Sequence, residues 1–196
     1  MAPPPPTCSL VDPPPVVGCQ VMRHDGALFA RASFYPPGEQ PSLENRVTGM
    51  QQVGRDGSVG DLVEMPDLGV ERLEIRSERF NTSVPYSPGQ ISAFSPAGAW
   101  IVGDNSEYAF EIHYPDGRVV KAERYGSPVP IPAEEKEYSA RRTTYNVRCF
   151  NNDPNWTFSG SDIPDHKPAY YLFTPTQGDR VMVARYGDSH LVEAAT

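Results

Sequence analysis

The stretch PGQISAFSPAGAWIVGDNSEYAFEIHYPDGRVVKAER, residues 88–124, predicts four short β-strands that follow one another up and down. The first hairpin is expected to pair residues 90–95 with residues 99–102, and the second to pair residues 108–114 with residues 118–123. Each pair of apolar-rich runs flanks a turn that contains glycine, which accepts the positive φ that tight turns demand. The stretch therefore predicts one antiparallel sheet with local connections.

The turns of this stretch are its clearest local signals. Pro115, Asp116 and Gly117 stand between two runs of apolar and β-branched residues, and Asp-Gly in that setting is a strong hairpin signal. The loop between the hairpins, residues 103–106, reads Gly-Asp-Asn-Ser and contains no apolar residue. Such a composition predicts a surface loop.

The same pattern recurs along the chain. Residues 16–65 contain two Asp-Gly hairpins in series, and residues 167–196 begin a further copy that ends after roughly two strands. In this copy Phe173-Thr174-Pro175 aligns with Phe94-Ser95-Pro96, and one residue is inserted in the turn. Repeated four-stranded antiparallel meanders are typical of the blades of a β-propeller. The predicted fold class is therefore mainly β: a partial propeller of about two and a half blades with one inserted helix.

The remaining segments divide the chain further. Residues 1–15 are proline-rich and predict a disordered tail, because proline removes backbone donors and no basic residue flanks the run to orient binding to an SH3 or WW domain. Residues 66–87 form a linker that suits either an extended strand or a short helix. Residues 125–166 form an insertion, whose part 132–148 predicts a helix with acidic residues near its start and basic residues near its end.

Composition bounds the function. A formal charge of −8 argues against a nucleic-acid groove, which needs clustered lysine and arginine. No apolar run is long enough to cross a bilayer, and the first residues lack the features of a secretory signal, so the compartment is left open. The three cysteines have no C-x-x-C spacing and are typical of reduced thiols.

Three groups of residues carry a resemblance to a known family. They are F-S-P-x-G-x-W-I-V-G-D at residues 94–104, the hairpin that follows up to Gly117, and I-P-D-x-K-P at residues 163–168. Together they resemble bacterial six-bladed β-propeller proteins related to the NHL-repeat group, most clearly over residues 84–187. The resemblance implies an architecture rather than an activity. Many such proteins are exported, and two and a half blades would be a fragment or would close by self-association through open blade edges.

The propeller geometry selects candidate ligand-binding residues. The loops between hairpins and the connections between blades lie on one face, which usually carries ligands. The candidate ligand-binding residues that we place on this face are Tyr86, Asp104, Asn105, Glu107, His166 and Lys167.

Metal binding and catalysis have weaker support in the sequence. Asp104, Asn105 and Glu107 offer the oxygen ligands that calcium prefers, but an Asx-type turn that caps the hairpin explains the same residues. The four histidines have no metal-ligand spacing, and no phosphate loop or nucleophile elbow is present. We therefore expect no catalytic residue and no cofactor.

Three functions follow as hypotheses. The first is a non-catalytic binding or scaffold propeller whose ligand is a protein or a small molecule. The second is a metal-dependent, lactonase-like hydrolase, since propellers similar to this one can hold a central cation. The third is a truncated fragment without independent function.

Overall fold

The structure is a computed structural model that describes residues 19–22, 28–34, 47–54, 56–77, 81–151, 153–176, 180–186 and 192–195. The predicted proline-rich tail, residues 1–15, lies outside these residues, as does the predicted turn at Asp25 and Gly26. The chain falls into two units that divide between Met65 and Pro66, and each unit is described by itself.

The first unit contains one antiparallel sheet, the first sheet. Its strands are β1 (Cys19–Met22), β2 (Leu28–Phe34), β3 (Val47–Val53) and β4 (Val59–Glu64), which lie side by side in chain order. On the central strands β2 and β3, Phe29, Ala30 and Met50 are buried, and Met50 is only 1% exposed. The four-stranded meander predicted for residues 16–65 is therefore present.

The second unit begins with a short extended pair. β5 (Glu74–Ile75) and β6 (Thr82–Ser83) pair antiparallel, so the part of the linker 66–87 that the structure describes contains strands and no helix.

The next four strands form the second sheet. They are β7 (Gln90–Phe94), β8 (Trp100–Asp104), β9 (Ala109–His113) and β10 (Val119–Glu123), in the spatial order β10-β9-β8-β7. The meander predicted from residues 88–124 is confirmed, with strand ends shifted by one or two residues.

Three of the hairpin turns that the structure describes share one geometry. Gly57, Gly98 and Gly117 each have a φ of 84°, and the N–H of each glycine donates to the carbonyl three residues earlier. The strand closes one residue later, as in the bond from the Ser95 N–H to the Ala99 carbonyl at 2.8 Å. A type I turn followed by a left-handed residue has this pattern, and only glycine adopts that backbone without strain.

The helix α1 spans Ala133–Asn151, three residues longer at its end than predicted. Glu134 and Glu135 lie in its first turn and Arg148 in its last, in keeping with the helix dipole. Within the second unit its residue Ala140 joins a small core with Ile75, Val84 and Ile163. No helix among the described residues combines the length and apolar character that crossing a bilayer requires.

The last strands form the third sheet, which differs from the sequence prediction in two ways. Its strands are β11 (Leu172–Pro175), β12 (Val181–Tyr186) and β13 (Val192–Ala195), so three strands are present where about two were predicted. The predicted alignment with Phe94-Ser95-Pro96 places Pro175 in the turn, but Pro175 pairs with Val181 as the last residue of β11. Proline is tolerated there because β11 is an edge strand.

The second and third sheets share a core. Ile101, Phe110, Tyr170, Phe173 and Val183 form one buried cluster, in which the rings of Phe110 and Phe173 lie 5.0 Å apart. Aromatic residues of these strands therefore pack between the two sheets.

Gly103 allows the two sheets to approach closely. A Cβ added at Gly103 would lie 2.7 Å from the Ala109 carbonyl oxygen and would collide with the Tyr170 hydroxyl. That hydroxyl instead donates to the Ala109 carbonyl at 2.9 Å. Burial raises the pKa of the Tyr170 phenol well above its usual range.

Candidate functional site

A cavity of about 350 Å³ lies in the second unit, at the strand ends remote from the Gly117 turn. Its walls are the loop after β8, the exit from β10, the segment that leads into β11 and the end of β12. The charged residues that line it are Glu107, Glu123, Arg124, Lys167 and Arg185. Two of these, Glu107 and Lys167, are among the residues predicted from the sequence.

One wall is built on a buried ion pair. The Nζ atom of Lys167 lies 3.1 Å from Oε1 of Glu135, and the two side chains are 3% and 7% exposed. The Tyr86 hydroxyl donates to the same Glu135 oxygen at 2.5 Å. Burying a charge is costly unless it is paired and hydrogen-bonded, and this pair satisfies both conditions.

Tyr86 reaches Glu135 from a strained turn. The Ser87 N–H donates to the Val84 carbonyl, Pro85 occupies the second position, and Tyr86 occupies the third with a φ of 61°. A type II turn requires a positive φ at that position, where glycine is usual. The bond to Glu135 holds a tyrosine in a conformation that side chains rarely adopt.

Aromatic rings complete this cluster. Lys167 Nζ lies 5.6 Å from the Tyr186 ring centroid and 6.0 Å from that of Tyr86, and the two rings meet edge to face at 5.8 Å. Burial, with the hydrogen bond to Glu135, raises the pKa of the Tyr86 phenol to about 12. Burial also raises the pKa of Tyr186. We call Tyr86, Glu135, Lys167 and Tyr186 the ion-pair cluster.

Arg185 stands beside the cluster but is bonded differently. It lies near the end of β12, with its Cζ atom 5.4 Å from the centroid of the Tyr108 ring. Its Nε atom is buried and has no hydrogen-bond partner. Among the side chains that the structure describes, which do not include those of residues 192–195, the guanidinium forms no ion pair.

The acidic residues of the lining are associated with Lys121. Its Nζ atom lies 2.5 Å from a Glu123 carboxylate oxygen, and both side chains are about half exposed. The hydrogen bond to Glu123 raises the pKa of Lys121, to which the charges of Glu111 and Glu107 contribute less. Glu107 and Glu123 thus share the field of one ammonium group.

Asp104 forms the Asx-type turn that the sequence offered as the alternative to calcium binding. Its Oδ1 accepts from the Ser106 N–H at 2.9 Å, and its Oδ2 accepts from the Ser106 hydroxyl at 2.7 Å. The carboxylate therefore fixes the loop that enters the cavity wall.

Asn105 is tied into the scaffold. It is 3% exposed, its Oδ1 accepts from the Gly89 N–H at 2.7 Å, and its Nδ2 donates to the Tyr170 carbonyl at 2.8 Å. Its own carbonyl accepts from the Ala169 N–H at 2.8 Å. One buried amide thus joins the start of the second sheet to the start of the third.

His166 and Lys167 are neighbours in sequence but have opposite environments. His166 is exposed and forms an isolated antiparallel bridge with Pro130, whereas Lys167 is buried. The Lys167 N–H donates to the Val129 carbonyl at 2.8 Å, which anchors the segment next to the cavity. Of the six predicted residues, Glu107 and Lys167 line the cavity, Tyr86 contacts Lys167, and His166 lies outside its lining.

Calcium binding by Asp104, Asn105 and Glu107 remains a sequence hypothesis. Within the described residues, no group of three or more histidine, cysteine, aspartate or glutamate side chains is placed to hold a metal ion.

The sequence did not single out Arg185, Arg124 or Glu135 as site residues. Glu135 was explained by the helix dipole, because its pairing with Lys167 spans 32 residues and leaves no local pattern. For Arg185 one signal exists: a charged residue interrupts the apolar run Val181-Met182-Val183-Ala184 one residue before β12 ends.

Comparison with known proteins leaves the site to be interpreted from its own geometry. No protein-family model matches this chain, and no similar curated protein or solved structure was found.

Proposed function

We propose that this chain is a non-catalytic binding module of the β-propeller type, and that a small molecule binds in the cavity at the loop end of the second and third sheets. The observation that carries the proposal is the cavity itself. Its volume of about 350 Å³ lies in the range that small-molecule sites occupy, and its lining combines tyrosine rings with a few charged groups.

The propeller architecture rests on repeated local structure. The first and second sheets are four-stranded meanders with the same turn geometry, and the second and third sheets pack against each other through a shared apolar core. Neighbouring blades of a propeller pack in this way, and their inter-hairpin loops gather at one end. The cavity lies among loops of that kind.

The walls of the cavity are fixed before any ligand arrives. Asn105 bonds the loop after β8 to the third sheet, and Glu135 holds Lys167 in place. A preformed site loses little conformational entropy on binding, which favours affinity. A rigid scaffold that presents loop residues is a common arrangement for binding proteins.

The location is tested by filling the cavity of the full chain. Gly126 lines it, and a Cβ at this position would lie 3.4 Å from the Arg185 guanidinium, so a Gly126→Trp side chain should occupy the space. Ligand-observed NMR against a library of neutral and charged small molecules should give hits with the natural chain that Gly126→Trp removes.

Gly60→Trp is the matched control, because Gly60 lies on β4 in the first unit and has no atom closer than 3.5 Å to an added Cβ. Hits should persist in this variant. Hits that survive equally in both variants would contradict the proposed location. The hydrolase and fragment hypotheses remain sequence predictions.

A further inference from the structure

We propose that the cavity selects small organic monoanions, and carboxylates in particular, by pairing their charge with the guanidinium of Arg185. This inference rests on the proposed function, because it requires that the cavity binds a ligand. It adds the chemical class of that ligand and the residue that recognises it.

The first argument is the bonding of Arg185. Its Nε atom is buried without a hydrogen-bond partner, although buried donors in folded proteins are almost always satisfied. A charged donor left in this state is expensive, so such a group calls for an acceptor. Arg185 lines the cavity, and its Nη2 atom lies 3.4 Å from the position of a Cβ added at Gly126, another lining residue, so a ligand in the cavity can bond to the guanidinium.

The second argument is the balance of charge around the cavity. Lys167 is neutralised by Glu135, and Glu123 is paired with Lys121. Arg185 and Arg124 form no ion pair with any of the side chains that the structure describes, although the whole chain carries a net charge of −8. Unopposed cations in a concavity of an acidic protein favour an anionic ligand over a cationic one.

The third argument separates carboxylates from phosphates. A guanidinium presents paired N–H groups that match the two oxygens of a carboxylate, and this fork geometry also suits phosphate. Glu107 lies in the same lining and repels a second negative charge on the ligand. A monoanion is therefore favoured over a dianion.

The tyrosines of the lining account for the rest of the ligand. The Tyr108 ring lies under the Arg185 guanidinium, and Tyr186 also lines the cavity. Aromatic faces bury flat apolar groups well and leave their hydroxyls for polar contacts. A carboxylate attached to a ring or short apolar body fits this combination.

The test compares three probes on the full chain: benzoate, its neutral isostere benzamide, and inorganic phosphate. Benzoate should bind with a dissociation constant about tenfold or more below that of benzamide, as expected for one charge-assisted pair. Phosphate should compete with benzoate only weakly. Equal affinity for benzoate and benzamide would overturn the inference. So would a dissociation constant for phosphate that is lower than the one for benzoate.

Variants of Arg185 assign the effect to one residue. Arg185→Gln should remove the preference for benzoate over benzamide, and Arg185→Lys should restore only part of it because lysine lacks the fork. Arg180→Gln is the matched control, since Arg180 precedes β12 at its opposite end and lies outside the cavity lining. The same preference in Arg185→Gln as in the natural chain would contradict the assignment.

One further variant checks the state of Arg185 in the free protein. Glu193 stands opposite Arg185 in the register of β12 and β13. Glu193→Gln should leave the benzoate affinity unchanged. A tightening of about tenfold or more would show that a protein carboxylate already neutralises Arg185, and the proposal would then be wrong.

These outcomes are distinct from failure of the proposed function. If Gly126→Trp abolishes the binding of benzoate and benzamide alike, the cavity is the site and only the choice of anion is in question. If Gly126→Trp affects neither probe, the location itself fails.

Discussion

Lys167 and Arg185 line the same cavity and carry the same charge, but the protein treats them in opposite ways. Lys167 is 3% exposed at its side chain and is paired with Glu135 at 3.1 Å. Arg185 has a buried Nε atom without a hydrogen-bond partner. The contrast separates a cation that stabilises the scaffold from one that is left available to a ligand.

The physical basis of the contrast is the cost of desolvation. A buried ammonium requires a partner, and removal of that partner leaves an uncompensated charge in a medium of low dielectric constant. A partly buried guanidinium spreads its charge over a plane, is weakly hydrated and rests on an aromatic ring, here Tyr108. Substitutions at the two positions should therefore differ in both stability and binding.

The largest effect is expected at the ion pair. Lys167→Met leaves Glu135 buried without its counter-ion and should lower the free energy of unfolding by about 3–5 kcal/mol. Urea denaturation followed by circular dichroism measures the change. Adding Glu135→Gln to this variant should recover part of the loss, since the uncompensated carboxylate is then removed.

Lys136→Met is the control for this prediction. The Lys136 ammonium lies 2.6 Å from Asp165, whose side chain is 87% exposed, and such pairs are worth less than about 1 kcal/mol. Equal losses of stability in Lys136→Met and Lys167→Met would show that burial does not increase the contribution of the Lys167–Glu135 pair.

The second effect concerns Asn105, which joins the loop after β8 to the segment that leads into β11. Asn105→Ala leaves the Gly89 N–H and the Tyr170 carbonyl without their side-chain partner and should cost about 1–3 kcal/mol of stability. The exposed Asn155→Ala is the control and should change stability by less than about 0.5 kcal/mol. If Asn105→Ala loses ligand binding but keeps its stability, Asn105 contacts the ligand directly, as the sequence predicted, and does not act through the scaffold.

The third effect is a loss of stability at alkaline pH that comes from Tyr86, which is bonded to the Lys167–Glu135 pair. The pKa of Tyr86 rises from about 10 to about 12 in the folded chain, mainly through burial and then through the hydrogen bond to Glu135. Its contribution to stability is complete below pH 10 and is lost as pH rises towards 12, because the unfolded chain releases this proton first. The groups around its hydroxyl and ring are Glu135, Lys167 and Tyr186.

Unfolding curves between pH 9 and pH 12 measure this dependence. Tyr86→Phe should have a shallower loss of stability with rising pH than the natural chain, while the exposed Tyr138→Phe should follow the natural chain. A loss of stability in Tyr86→Phe that is as steep as in the natural chain would show that Tyr86 does not contribute to it.

The sequence predicted the local structure better than the contacts between distant segments. The Pro-Asp-Gly turn at Gly117 predicted a hairpin because the left-handed φ of 84° is a property of a few adjacent residues. The same reasoning placed Pro175 in a turn, which is wrong, because a proline on an edge strand satisfies the same local rules. The strand at Val192–Ala195 was not predicted for a related reason. It has only four residues, and it is defined by its pairing with β12 and not by a local sequence pattern.

The candidate site also combines residues that the sequence could indicate with contacts between distant segments that it could not. Of the residues that the sequence predicted for a ligand site, Glu107 and Lys167 line the cavity, and whether a ligand binds there stays a prediction. The sequence could not place Glu135 next to Lys167, because that contact depends on how the helix packs in the second unit. Nor could the sequence show that Tyr108 both packs against Tyr170 and lies under Arg185.

The smallest expected effect on stability is at Arg185. It tests most directly whether Arg185 differs from Lys167 in being free of a scaffold role. Because Nε has no hydrogen bond to lose and its unsatisfied burial is itself unfavourable, Arg185→Gln should lower the free energy of unfolding by no more than about 0.5 kcal/mol, while it removes the preference for benzoate. Urea denaturation of the ligand-free chain gives the first quantity and NMR titration gives the second. A loss of stability close to that of Lys167→Met would mean that Arg185 is also part of the scaffold, since only a satisfied buried cation is costly to remove in this way.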